Sequence, residues 1–313
     1  MHVRSLDNLH LNLTWVTIGM FDGVHRGHRA IIEPMVLRAR AVGSPTAVIT
    51  FHPSPAVVLR GLQDARYLTP PEERATLLTE MGIDTVVTLE FTHALAQLTA
   101  EEFIKNIVDQ LGLARLWVGY DFALGKNRQG TIQVLKELGD QFGYRLEVVG
   151  PVNGGNEVIS STRIRTLLAE GNIRQVTDLL GRWYRLYGQV VHGDGRGRNL
   201  GFPTANLAIP ADKLLPPNGV YACWIWVDGQ CLPAVVNIGV RPTFEQAQPV
   251  RRIEAHVLDF KMDFYDQDVR LDFADFIRPE QRFENTAALV AQVQLDVQRA
   301  RDILVRMDLE SGG

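Results

Sequence analysis

The sequence predicts an α/β chain in two parts. The first is a mostly parallel sheet with helices on both faces; the second is a small β-barrel that ends in one long helix. Three observations carry this. Up to about residue 182, apolar strand-like runs alternate with amphipathic helical ones, the rhythm of strand–helix–strand units. From residue 183 onward, β-branched and aromatic residues dominate short runs separated by turn signals. The final stretch, about Thr286 to Met307, returns to helical spacing. The boundary falls near "GRWYRLYG", giving domains of 1–182 and 183–313.

In chain order, strands are predicted at Trp15–Met20, Thr46–Phe51, Asp84–Leu89, Leu116–Tyr120 and Arg145–Val149. A helix is expected over Ala30–Arg40, where apolar residues recur at helical spacing. "TAEEFIKNIVDQLG" opens on a capping-box pattern, Thr99 with Glu102, and closes at Gly112. "GTIQVLKELGDQFG" reads as a further helix. In the second part, "YRLYGQVVHGD", "GVYACWIWVDGQCLPAVVNIGV", "RIEAHVLDF" and "VRLDFADF" are the strand-bearing runs, with Asp228 and Gly229 as a hairpin turn.

Length and composition narrow the function. A chain of 313 residues supports two domains with their own cores. The formal charge of −4 provides no basic field, which disfavours nucleic acid as a partner. Cys223 and Cys231 are the only cysteines and form no C-x-x-C pair, so a disulfide scaffold or structural zinc is not expected. The N-terminal residues lack a basic stretch followed by an apolar block, and no apolar run approaches the roughly 20 residues of a membrane span. The expectation is a cytoplasmic protein without a membrane partner.

The densest local signal is "GMFDGVHRGH", Gly19 to His28, at a strand-to-helix junction. Gly23 and Gly27 allow a backbone to approach a bulky anion, and a helix start offers unpaired N–H groups and a positive dipole end. His25 and His28 stand one helical turn apart and can donate to phosphate oxygens. Half of a metal site, or a glycine-rich turn with incidental histidines, are the other readings. A second stretch, "ISSTRIR", Ile159 to Arg165, also runs into a helix. Ser160 or Ser161 would cap it, Thr162 adds a hydroxyl, and Arg163 and Arg165 add charge-assisted donors. Ordinary capping with a solvated arginine face is the alternative.

G-x-F-D-G-x-H-x-G-H followed well downstream by I-S-S-T-x-x-R resembles the nucleotidyltransferase superfamily, and within it the bacterial FAD synthetases. The resemblance implies a Rossmann-like nucleotidyltransferase domain. It implies that His25, His28 and Arg165 are catalytic, and that Gly19, Phe21, Asp22, Gly23, Ser161 and Thr162 bind ATP. "GYDFALGKNRQG" matches the family's flavin-phosphate segment and implies flavin-binding roles for Asp121, Lys126 and Arg128. Segments near "FHPSP" and "RYLTPPEE" correspond to its flavin-contacting helical subregion. The implied acceptor is the FMN phosphate. It is ionised at neutral pH, so the step needs positioning and charge stabilisation but no general base.

The second part carries another cluster, "VVHGDGRGRNLGFPTANL". Gly193, Gly195 and Gly197, interleaved with Arg196 and Arg198, compose a loop that could wrap ATP phosphates or simply close a hairpin. "GFPTAN" resembles the riboflavin kinase signature, which implies that Thr204 and Asn206 serve phosphates and Mg²⁺. Glu254 and His256 lie two apart on a predicted strand and so share a face. By the same resemblance Glu254 is the base for the riboflavin 5′-hydroxyl, a neutral alcohol that benefits from one. His192 and His256 read as packing or polar contacts. "NIGVRPTF", with Arg241, and "DFYD" are placed around the flavin and nucleotide pockets.

Both signatures stand in one chain. The resemblance therefore implies conversion of riboflavin and ATP to FMN in the second part, then of FMN and ATP to FAD and pyrophosphate in the first. Mg²⁺ accompanies ATP, and the flavins are substrates and products. Riboflavin, FMN and ATP are the expected partners, and either domain could associate with a second copy as a homo-oligomer. Two rival readings stay open: a nucleotidyltransferase for another acceptor, and a flavin-binding protein that has lost catalysis.

Overall fold

The computed structural model of the protein describes residues 1–192, 200–240, 251–259 and 265–311. The chain divides into two units, Met1–Ser161 and Thr162–Gly313.

In the first unit, β1 (His2–Val3), β2 (Thr14–Ile18), β3 (Thr46–Phe51), β4 (Thr85–Leu89), β5 (Leu113–Gly119) and β6 (Arg145–Val149) form one sheet. Its order is β1-β4-β3-β2-β5-β6, and every pairing is parallel. The helices are α1 (Arg26–Ala41), α2 (Pro55–Arg60), α3 (Pro71–Glu80), α4 (His93–Gln97), α5 (Ala100–Leu111) and α6 (Ile132–Phe142). Successive strand residues point to opposite faces. Val16, Ile18, Ala47, Ile49, Leu116 and Val118 pack with α5 and α6. Trp15, Val48, Val86 and Trp117 pack with α1 and α3. Burial on both faces is why these strands read as continuous apolar runs and not as alternating ones.

The predicted strands are all present; Thr46–Phe51 and Arg145–Val149 match at both ends, and the other three have shifted ends. Met20 and Tyr120 lie beyond β2 and β5. After Ile18 the chain enters a turn in which Phe21 takes φ 47°, outside the extended region. β1 was not predicted; two residues carry no periodicity. α5 has the expected capping box of Thr99 and Glu102, and Gly112 ends it at φ 54°.

The order of strands creates the site. From β2 the chain moves outward through β3 and β4 on one side, then returns to β5 and β6 on the other. The crevice at the carboxyl ends of β2 and β5 is a topological switch point, the usual ligand position in open α/β sheets.

In the second unit, α7 (Ser161–Ala169), which starts on the last residue of the first unit, and α8 (Ile173–Leu180) lead into β9 (Tyr184–Val191), β10 (Ala205–Ala208), β11 (Gly219–Val227), β12 (Gln230–Val240), β13 (Arg251–Val257) and β14 (Asp268–Arg278). A short antiparallel pair, β7 (Asn153–Gly154) with β8 (Glu157–Val158), precedes α7 in the first unit. β9 to β14 close an antiparallel barrel in the order β10-β13-β12-β11-β14-β9. Asp228 and Gly229, both at positive φ, join β11 to β12 in the predicted hairpin. The long last helix, α9 (Thr286–Ser311), lays Ala300 and Leu304 against Val220, Ala222, Val235 and Ala274 on the outside of the barrel.

Two candidate active sites

In the first unit, the turn between β2 and α1 lies at the switch point. His25 caps α1, and His28 is its third residue. The His28 backbone N–H donates to His25 Nδ1, and the His25 backbone N–H donates to His28 Nδ1, both at 3.3 Å. The two rings stack with centroids 3.5 Å apart and planes 17° apart. A backbone N–H can only donate, so each Nδ1 holds a lone pair and each neutral ring carries its proton on Nε2. The motif thus presents two Nε2–H donors at a helix N-terminus. A Cβ at Gly27 would stand 3.1 Å from His25 Cε1 and Nδ1, a tight contact that presses on the stacked ring.

The rest of the turn is braced from within the same unit. The Gly23 N–H donates to Thr69 Oγ1 at 2.8 Å, and the Thr69 N–H donates to Asp22 Oδ1 at 3.0 Å. Ser161 Oγ donates to the Asp22 carbonyl at 2.8 Å, from the first position of α7 and not from a cap before it. Phe21 meets the His28 ring edge-on at 5.1 Å, and Gly19 leaves space for the Phe21 ring. Thr162 and Arg165 lie on α7 in the second unit, the former exposed and the latter half-buried.

Beside the β3 and β5 ends, the same unit holds an apolar cavity of about 370 Å³. Phe51, Phe91, Phe103, Phe122, Leu95 and Leu98 are among its walls, and Arg128 also lines it. Its size and lining suit a flat ring system. Asn127 and Arg128 both adopt positive φ in a short 3₁₀ turn, Lys126–Arg128. Arg128 Nη2 donates to the Asp121 carbonyl at 3.2 Å. Asp121, Lys126 and Arg128 are exposed, and of the three only Arg128 lines the cavity. Phe91 and Phe103 were missed by sequence reading, while Phe51 and Phe122 fall in the "FHPSP" and "GYDFALGKNRQG" segments without having been singled out. Phe51, Phe91 and Phe122 sit at or just after strand carboxyl ends, a signal that could have found them.

In the second unit, Asn206, Glu254 and Asn237 form a row. Asn206 is the cross-strand partner of Glu254 on one side, and Asn237 is its partner on the other. Directly paired residues share a face, and here that face is the outside of the barrel, because Ile253 and Ala255 on either side of Glu254 are buried. Glu254, Thr204 and Asn237 line a cavity of about 300 Å³ that α9 also lines, through Val290, Val293 and Asp296. His256 Nδ1 donates to the Pro203 carbonyl at 2.8 Å and its ring meets Phe202 edge-on, so it ties the Pro203–Asn206 segment to β13. His192 stacks on Tyr265 at 3.9 Å. Arg278 and Asp296 also line the cavity. They were not foreseen, being 18 residues apart on different elements. Gly193, Gly195, Arg196, Gly197, Arg198 and Arg241 lie outside the described residues.

The Thr204 hydroxyl and Asn206 carbonyl oxygen beside a carboxylate make a hard-oxygen set suited to Mg²⁺. Among the described residues no three His, Cys, Asp or Glu side chains gather to hold a metal by themselves. Such a set fits an ion that arrives on phosphates and keeps much of its shell from water and nucleotide.

A parallel α/β unit with histidine donors at its switch point, joined to a barrel with a carboxylate in a ligand-sized cavity, defines a two-site transferase. Residues 8–163 match the FAD synthetase family and residues 180–304 the riboflavin kinase family. The bifunctional riboflavin kinase/FMN adenylyltransferase of Listeria monocytogenes is 34% identical over 294 residues, covering 94% of this chain and 93% of that protein. Its namesake from Escherichia coli strain K12 is 37% identical over 289 residues, covering 92% and 91%. A crystal structure from Streptococcus pneumoniae described as a macrolide-efflux protein superposes with a TM-score of 0.88 at 30% identity, covering 96% of this chain and 98% of that one. The chain belongs to the bifunctional riboflavin kinase/FMN adenylyltransferase family. It is a bifunctional transferase of flavin cofactor synthesis, with the adenylyltransferase N-terminal and the kinase C-terminal. No helix among the described residues is long and apolar enough to cross a membrane.

Proposed function

We propose that Glu254 is the base of the kinase step and that His25 and His28 are the charge-stabilising donors of the adenylyl step. The observation that carries the first role is the Asn206–Glu254–Asn237 row beside a cavity of ligand size. Glu254 takes the proton from the riboflavin 5′-hydroxyl as that oxygen bonds to the γ-phosphorus of ATP; the bond to the β-phosphate oxygen breaks and ADP leaves. Asn206 and Thr204 would hold Mg²⁺, which when bound neutralises phosphate charge. Gly193, Gly195, Arg196, Gly197 and Arg198 contact the ATP phosphates in this reading, and Arg241 contacts the flavin.

In the adenylyl step, an FMN phosphate oxygen bonds to the α-phosphorus of ATP, and pyrophosphate leaves with the electron pair. The Nε2–H groups of His25 and His28 donate to oxygens on which charge builds, supported by the α1 N-terminus. Arg165, Ser161 and Thr162 complete the ATP contacts, with Gly19, Phe21, Asp22 and Gly23 shaping the turn. The isoalloxazine ring occupies the phenylalanine-lined cavity, with Asp121, Lys126 and Arg128 toward the FMN phosphate. The functional division is placed at 182/183, near the start of the riboflavin kinase match at residue 180. The enzyme works in the cytoplasm on small molecules, without nucleic acid or membrane.

The test is a time course with riboflavin, ATP and Mg²⁺, resolving flavins by chromatography. FMN appearing first and FAD second is expected. FMN without FAD, even when FMN is supplied, would remove the N-terminal assignment; bound riboflavin without turnover would remove both.

A further inference from the structure

Arg74, on α3, has no exposed surface. A buried cation is costly unless its donors meet acceptors, and here those on Nη1 and Nη2 converge on one place. Nη1 donates to the Met20 carbonyl at 2.6 Å, to Thr50 Oγ1 at 2.7 Å and to the Phe51 carbonyl at 3.4 Å. Nη2 donates to the Thr69 carbonyl at 3.4 Å. Thr50 Oγ1 in turn donates to the Met20 carbonyl at 3.0 Å.

These acceptors belong to the three parts of the adenylyltransferase site. Met20 begins the turn that leads to His25. The Phe51 ring is a wall of the apolar cavity. Thr69 holds the Gly23 N–H and meets the Asp22 carboxylate. Bulk alone does not account for an arginine at this position. α3 already buries Leu77 and Leu78 in the core, and a purely apolar side chain would leave these carbonyls without Arg74's donors.

We propose that Arg74 is a positioning residue of the adenylyl step. It fixes the turn that leads to the histidines relative to the wall of the flavin cavity, and so aligns the FMN phosphate with the α-phosphorus of ATP. This rests on the reading of the N-terminal site given above.

The experiment compares Arg74→Lys and Arg74→Met in the full chain. Nη1 alone makes three of the contacts, and an ammonium has three donors, so lysine can replace it. Arg74→Lys is expected to keep FMN adenylylation within a few-fold of wild type. Arg74→Met should lower kcat about 100-fold while KM for ATP and FMN changes little, because misalignment and not lost contact is the defect. Riboflavin phosphorylation by the same preparations should be unchanged. Wild-type kcat in Arg74→Met, or an equal loss in Arg74→Lys and Arg74→Met, would overturn the proposal. Should Arg74→Met fail to fold, Thr50→Val decides: an adenylyl kcat reduced about fivefold at constant KM supports the proposal, and an unchanged kcat overturns it. If wild type itself makes no FAD from FMN, it is the site reading that fails.

Discussion

His25 and His28 hold each other: each ring accepts the other's backbone N–H at 3.3 Å, and the rings stack at 3.5 Å. The same two side chains therefore start a helix and present Nε2–H donors. The two roles can be separated. His28→Ala removes both, and His28→Asn restores an acceptor for the His25 N–H without the Nε2–H. Both variants should lose FAD formation by about 100-fold or more and keep FMN formation. Only His28→Ala should also lose about 1 kcal/mol of stability in denaturant unfolding. FAD formation at wild-type rate in His28→Asn would rule out the donor role.

Glu254 is flanked across the sheet by Asn206 and Asn237. Glu254→Gln keeps the shape and removes the base. Riboflavin phosphorylation should slow about 100-fold or more, with supplied FMN still adenylylated. Asn206→Ala should raise the Mg²⁺ concentration needed for half-maximal kinase rate, whereas Asn237→Ala should not. A metal titration of the two variants checks the difference.

Arg278 reaches across from β14 to clasp Asp296 on α9, with Nε at 2.9 and 3.0 Å and Nη2 at 2.7 Å from its carboxylate oxygens. Gln292 adds a donor at 2.9 Å, and Asp296 is 2% exposed. Asp296→Ala leaves a largely buried guanidinium without this partner and should cost about 3–5 kcal/mol, read as a lower melting temperature together with weaker kinase activity. The double change Arg278→Met/Asp296→Leu should recover part of that loss.

Glu102 accepts the Thr99 N–H at 2.8 Å, and this bond holds its carboxyl below the usual carboxylate range. Its charged form favours the fold. That stabilisation is present above the ordinary carboxylate pKa and is lost as pH falls through the depressed value. The difference in unfolding midpoint between wild type and Glu102→Ala should therefore be greatest near neutral pH and shrink in acid. Thr99→Ala should cost about 1 kcal/mol at neutral pH.

Local chemistry is legible in the order of residues alone. The capping box at Thr99, the Gly112 stop, the Asp228–Gly229 hairpin and the change from helix-bearing to barrel-forming rhythm each depend on neighbouring residues. So does the histidine pair, whose spacing places one ring at the cap and the other on the first turn. What stays hidden is what converges from far apart. Phe51, Phe91, Phe103 and Phe122 come from four different segments and meet only because parallel strands end on one side of the sheet.

By itself, then, the sequence determined the two-part α/β and barrel architecture, the motif families and the reactions they imply, because those are written in contiguous residues. Tertiary structure alone decided that Glu254 stands between two asparagines, that Arg278 meets Asp296, and that Arg74 joins Met20, Phe51 and Thr69. The physical reason is that strand register and helix docking are set by burial over the whole unit, and no short window of sequence contains that sum.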